Sequence, residues 1–179
     1  MGDASLPNVS GRVAIVTDST ASLPDDVAES RGVIVVPLQV VVGAQAFDEG
    51  RQATQQTVAN ALRSFDPVST SRPPPETFAA AYESAAAGGA TAVVSVHLSA
   101  EVSGTYDSAV LAAGQVDVPV IVVDSRQVGL ATGFAALSAA DAAERGGSAE
   151  EVAEAARSRA AAAPIRPRCS VPRSRSNRC

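Results

Sequence analysis

Residues 92–107 read Ala92-Val93-Val94-Ser95-Val96-His97-Leu98-Ser99-Ala100-Glu101-Val102-Ser103-Gly104-Thr105-Tyr106-Asp107. Ala92 to Val96 is a short valine-rich run, the pattern of a strand buried on both faces. A polar turn follows, and Ser103 to Ser108 leads into Ala109-Val110-Leu111-Ala112-Ala113, which reads as a helix. A strand that ends in a Ser/Gly/Thr turn at a helix start gathers hydroxyls and free backbone N–H groups at one spot. The helix dipole adds positive potential there, so the spot suits an anion, and a carboxylate is the expected one.

The same strand–loop–helix order repeats on either side. Val13-Ala14-Ile15-Val16 is an apolar run followed by Thr17-Asp18-Ser19-Thr20-Ala21-Ser22, and Pro24-Asp25-Asp26 opens a short helix that ends near Gly32. Val33 to Val42 is a second strand run, with Pro37 forcing an edge or a bend. Residues 43–53 read as a loop, and Thr54 as the N-cap of a helix to about Phe65. Val68 to Pro75 reads as an extended, non-helical loop, and Pro75 starts a helix closed by Gly88-Gly89. Val118 to Val123 is another strand run ending in Asp124-Ser125. Residues 129–145 read as an Ala-rich helix, and Ser148-Ala149-Glu150-Glu151 is a capping box for a last helix to about Ala163.

Strands alternating with helices predict an α/β fold, a mostly parallel sheet with helices on both faces. The polar clusters at 17–22, 97–105 and 124–127 each follow a strand. In such sheets ligands bind beyond the carboxyl ends of the strands, at a switch in strand order.

Composition limits the chemistry. The chain of 179 residues has 46% hydrophobic residues, only 3% aromatics and no Trp, so its core is built of Ala and Val. All 14 basic residues are Arg, which removes Schiff-base lysines and a Walker A lysine. Residues 1–163 carry nine of these Arg against all 19 acids, an acidic body that argues against nucleic acid. No apolar stretch reaches membrane-spanning length and the start lacks the layout of a signal peptide, so the expectation is a cytoplasmic protein without membrane insertion. The body has no set of metal ligands, and no cofactor is expected. Residues 1–11 read as a loose leader. Residues 164–179 hold five Arg, three prolines (Pro164, Pro167 and Pro172) and both cysteines; they read as a disordered tail, from a shifted frame or a truncated product.

At this point the residues carry a resemblance. Val13 to Pro24, Val36-Pro37-Leu38, Thr70-Ser71-Arg72-Pro73, Leu98-Ser99 with Ser103-Gly104-Thr105-Tyr106, and Val122-Val123-Asp124-Ser125 resemble the DegV family in order and spacing over residues 12–163. Members of that family bind fatty acids, and some present them to a fatty acid kinase. The resemblance implies that Thr70 and Ser103 hold the carboxylate, supported by Ser71, Gly104, Asp18, Ser19 and Asp124. It implies no catalytic residue. Three features depart from the family: Arg72 stands where Gln is usual, His97 and Ala100 replace small hydroxyl residues, and a second domain with a Gly-Gly-Arg motif is not in this chain. Weakened binding is therefore expected.

Other readings of the same residues compete. Ser103 alone would be an N-cap and Thr70 a loop residue. Asp18 or Ser103 would be the nucleophile of an α/β enzyme handling phosphate or acyl groups, although Thr20 occupies the place of the second acid that aspartate-based phosphatases use. His97, the single histidine, reads as a satisfied strand-end residue, since no Gly-x-Ser-x-Gly elbow exists for a hydrolase. Arg72 either pairs with the carboxylate or is a solvated loop charge. A further alternative is an inactive remnant with an exposed apolar flank.

Overall fold

A computed structural model describes residues 11–50, 52–53 and 55–162. The expectations for the leader, the Arg-rich tail with its cysteines, and the Thr54 cap lie outside the described residues.

Four strands form a parallel sheet: β1 (Val13–Asp18), β2 (Val33–Val36), β6 (Ala92–His97) and β7 (Val120–Asp124), in the order β2-β1-β6-β7. The helices are α1 (Asp25–Ser30), α2 (Gln55–Arg63), α3 (Pro75–Ala87), α4 (Thr105–Ala113), α5 (Leu130–Glu144) and α6 (Ala149–Ala161). Successive strand residues face opposite sides of the sheet, so the apolar runs serve two cores. Val13, Ile15, Val94 and Val96 pack under α5 and α6, whereas Val16 and Val93 pack under α3 and α4. Both faces of the sheet are covered, as the near-continuous Val/Ala runs require.

Alanine decides how closely the first core packs. Ala135, Ala136 and Ala139 of α5 and Ala153 and Ala156 of α6 are fully buried, so these two helices approach each other almost backbone to backbone. The predicted capping box is present: Ser148 Oγ accepts from the Glu151 N–H at 3.4 Å, while the Ser148 N–H donates to Glu151 Oε2 at 2.8 Å. Within α5, Gly133 faces the 3-10 turn Ser19–Ala21, and a Cβ there would lie 2.5 Å from the Ala21 carbonyl oxygen and 3.0 Å from Leu23 Cδ2. In an exposed helix, Gly→Ala would stabilise by up to about 1 kcal/mol. Here the clash with backbone should prevail, and Gly133→Ala is expected to lower stability by about 1–3 kcal/mol, read as a lower urea midpoint.

Two expectations need correction. Residues 43–53 are not simply a loop, because β4 (Gln45–Asp48) pairs antiparallel with β3 (Gln39–Val42). Val68 to Pro75 is extended as predicted, but its first part is strand β5 (Val68–Ser71), antiparallel to β3. These strands make a second, three-stranded sheet of order β4-β3-β5. The single run predicted over 33–42 divides at Pro37-Leu38, and its halves belong to different sheets.

Candidate functional site

Because β1, β6 and β7 are parallel, the three polar clusters meet at one rim of the main sheet. The strand order changes direction between β1 and β6, and Asp18 and His97 end those two strands. The predicted crevice therefore has a floor of ionisable residues.

That floor is a hydrogen-bonded string within the core. Ser95 and His97 lie two residues apart on β6 and share the face that packs under α3. Tyr82 Oη donates to Ser95 Oγ at 2.9 Å, Ser95 Oγ meets His97 Nε2 at 2.7 Å, and His97 Nδ1 meets Asp18 Oδ2 at 2.8 Å. One direction satisfies every atom: Tyr82 gives its proton to Ser95, Ser95 to Nε2, and Nδ1–H to the Asp18 carboxylate. Phe78 closes the side with its ring edge-on to His97 at 4.9 Å. All of these side chains are fully buried. The order Ser–His–Asp is that of a hydrolase triad, yet Ser95 faces no solvent and already accepts from Tyr82. It has the connectivity of a nucleophile without access to a substrate. The reading of His97 as a satisfied strand-end histidine describes this arrangement; its partners Ser95 and Tyr82 were not anticipated.

Asp18 links the string to the rim. Oδ2 also accepts from the Leu98 N–H at 3.4 Å, while Oδ1 accepts from the Thr20 N–H at 3.0 Å and from the Thr20 hydroxyl. Both oxygens are engaged and buried, so Asp18 presents no lone pair to a phosphate or acyl group. Burial pushes its carboxyl up, but the hydrogen bonds it accepts from His97, Thr20 and Leu98 outweigh this and hold it below its ordinary 3.8. For an acid depressed in the folded state, the added stability is present above the unfolded value of about 3.9 and lost as pH falls through the folded one. Urea midpoints should therefore hold down to about pH 4 and then fall, and Asp18→Asn should make that acid decline shallower. The same desolvation pushes Tyr82 up to about 12.

The other supporting residues tie loops together. Ser19 Oγ donates to Glu49 Oε2 at 2.6 Å and accepts from the Leu38 N–H at 2.9 Å, which joins the main sheet to the smaller one. Asp124 Oδ1 accepts from the Arg126 N–H at 2.8 Å and the Ala100 N–H at 3.3 Å, bracing the loop that leads to Ser103.

Thr70 lies on a strand of the smaller sheet and Ser103 on the loop that follows β6 of the main one. Thr70 is exposed on edge strand β5, opposite Val40 of β3. Ser103 is half-buried before α4, its Oγ 2.9 Å from Thr105 Oγ1 and accepting from the Thr105 N–H at 3.3 Å. The N-cap of α4 is Gly104, not Ser103. The two segments touch where Arg72, two residues beyond Thr70, lays its side chain against Gly104. A Cβ at 104 would lie 3.1 Å from Arg72 Cδ and 3.2 Å from Cζ. Ser71 bonds only weakly, to the Arg72 carbonyl at 3.4 Å. Neither Thr70 nor Ser103 lines the apolar cleft of about 1080 Å³ that opens between β2, α1 and α2 around Leu23, Val33, Val35 and Val58. Among the described residues there is no group of three His, Cys, Asp or Glu placed to hold a metal ion, and no helix is long and apolar enough to cross a membrane.

Residues 12–163 match the family model described as uncharacterised protein, DegV family. A DegV domain-containing protein of Streptomyces coelicolor is 51% identical over 153 residues, which cover 86% of this chain and 54% of that protein. Among solved structures, a DegV family protein from Thermus thermophilus, described by its fatty acid binding, is similar with a TM-score of 0.77 at 35% identity. The match covers 84% of this chain and 54% of that one. DegV from Bacillus subtilis, described as a fatty acid binding protein, is similar with a TM-score of 0.77 at 33% identity, over 83% and 53% of the two chains. The chain thus spans about half the length of these relatives.

Proposed function

The chain belongs to the DegV family, and on that premise we propose that it binds a long-chain fatty acid, with Thr70 and Ser103 holding the carboxylate. One observation carries the reading most: the Arg72–Gly104 contact, which brings the end of β5 with Thr70 against the loop with Ser103 that follows β6 of the main sheet. A carboxylate there has two hydroxyls, the free N–H groups of the first turn of α4 and the positive end of its dipole as partners. With Thr105 donating to Ser103, the Ser103 proton is available to a ligand. Burying the acyl chain contributes about 0.8 kcal/mol per CH₂, so the chain dominates affinity while the hydroxyls set orientation.

In this reading the protein is a cytoplasmic carrier without turnover of its own, and it presents the head group at the rim to a partner kinase that phosphorylates it. Asp18, Ser19 and Asp124 act by holding the rim loops. Native mass spectrometry of the purified chain with added palmitate tests the binding: a one-to-one adduct is expected. No adduct at any palmitate concentration would refute the reading.

A second reading rests on a separate observation. Val102 and Leu130, in the loop before α4 and at the start of α5, are 68% and 55% exposed, apolar surface that suits association rather than ligand storage. Sedimentation that shifts with protein concentration, and does not respond to palmitate, would favour it.

A further inference from the structure

Asp18 and His97 are the last residues of two neighbouring parallel strands, and the rim loops start where their side chains meet. Two short paths lead from that contact toward the two proposed carboxylate ligands. Along the main sheet, Asp18 Oδ2 accepts from the Leu98 N–H, and Leu98 is followed by Ser99. The Ser99 carbonyl in turn accepts from the Val102 N–H at 3.0 Å and the Ser103 N–H at 3.1 Å. Toward the smaller sheet, Asp18 Oδ1 caps the turn Ser19–Ala21 through the Thr20 N–H, and Ser19 Oγ accepts from the Leu38 N–H. Leu38 leads directly into β3, whose Val40 stands opposite Thr70. One carboxylate is thus linked to the placement of both hydroxyls. Distances decide what holds it. The Leu98 bond, at 3.4 Å, is long, whereas the one to His97 Nδ1, at 2.8 Å, is short and charge-assisted. Oδ2 is therefore placed by the imidazole, which Ser95 orients at Nε2 and the Phe78 ring orients from the side.

We infer that His97 is a positioning residue of the head-group site: its Nδ1–H fixes the Asp18 carboxylate and through it sets the distance between Thr70 and Ser103. The inference rests on the binding reading above, and it gives His97 a task beyond that of a satisfied strand-end residue. His97 is fully buried and touches no ligand itself. Apolar side chains of the same volume often hold a core as well as a buried ionic string does, so what this string adds is direction. Its influence on affinity passes through one atom, Nδ1, which separates the role from the packing of the ring.

Two substitutions separate the nitrogens of the ring. In His97→Asn the side chain ends at the place of Nδ1 and still donates to Asp18, whereas in His97→Gln it ends at the place of Nε2 and keeps only the link to Ser95. Both lose the ring packed against Phe78, so both should lower the melting temperature. Palmitate affinity is read by displacement of a fluorescent fatty acid from the full chain. His97→Asn should bind within about twofold of wild type, because the donor to Asp18 is retained. His97→Gln should bind about tenfold or more weakly, the loss expected when one hydrogen bond to a charged ligand is misplaced. Amide hydrogen exchange gives a second readout. In His97→Gln the Leu98 and Ser103 N–H groups should lose protection while those of Val152 and Ala156 in α6 keep theirs; in His97→Asn all four should stay protected. Ser95→Ala, which keeps the ring but frees Nε2, serves where a His97 variant does not fold: palmitate affinity should fall, and an unchanged value overturns the inference. The inference is also overturned, and the binding reading kept, if both His97 variants bind palmitate equally while Thr70→Ala weakens binding. Unchanged exchange at Leu98 and Ser103 in His97→Gln overturns it as well. If wild type binds no palmitate, the binding reading falls and the inference with it.

Discussion

Asp18→Ala is expected to cost about 3–5 kcal/mol, because it orphans several donors at once and each buried one costs about 1–3 kcal/mol, and so to consume much of the stability of a domain this size. The magnitude follows from what the change leaves behind. The buried His97 Nδ1–H and Leu98 N–H and the part-buried Thr20 N–H and hydroxyl all lose their acceptor at once. An orphaned buried donor bears its full desolvation penalty. The effect should extend to the rim, since Thr20 and Leu98 begin the 18–22 and 98–103 loops. Asp18→Asn, which keeps the shape and one acceptor oxygen, should cost less. Urea unfolding at pH 7 decides the matter: a loss for Asp18→Ala under about 1 kcal/mol would mean that the string is not a structural unit.

Ser103→Ala combined with Thr70→Ala should abolish measurable binding of palmitate without unfolding the protein. Hydrogen bonds to charged groups contribute about 1.5–3 kcal/mol each, so each single change should weaken binding roughly ten- to a hundredfold. Thr70→Ala should hardly move stability, because Thr70 is exposed, whereas Ser103→Ala should lower it by about 1 kcal/mol by freeing the Thr105 N–H and hydroxyl. Fluorescent displacement gives the affinities and a thermal melt gives the stability control. Equal affinity in wild type and double variant would place the head group elsewhere.

Much of this fold is legible in the chain. Valine runs that lack alternation mark strands covered on both faces. Pro74-Pro75 and the Ser148–Glu151 box mark helix starts through backbone chemistry that depends little on distant contacts. The small sheet was not legible in the same way. β5 reads Val-Ser-Thr-Ser, mostly exposed, with no apolar alternation, and its pairing with β3 is made through backbone groups that sequence does not display. The one local signal was Gly43-Ala44, a two-residue connection with Gly43 at φ 60°, the kind of turn that joins hairpin strands. At the rim, the spacing of Ser95 and His97 places them on one strand face, but Asp18 is 79 residues from His97 and Tyr82 belongs to another helix. Such a string is assembled by register, which no short motif encodes. The contact at Gly104 was likewise hidden, since it depends on where Arg72, just beyond β5, comes to rest.

The account turns on a fatty acid carboxylate held between the two sheets. Carbon-13 NMR of carboxyl-labelled palmitate bound to the chain reports on that group directly. One bound resonance is expected, distinct from free or micellar palmitate, ionised over the neutral pH range, and lost when Thr70 and Ser103 are both changed to alanine. A carboxyl resonance that never leaves its free position, or a bound one that the double variant leaves untouched, would contradict it.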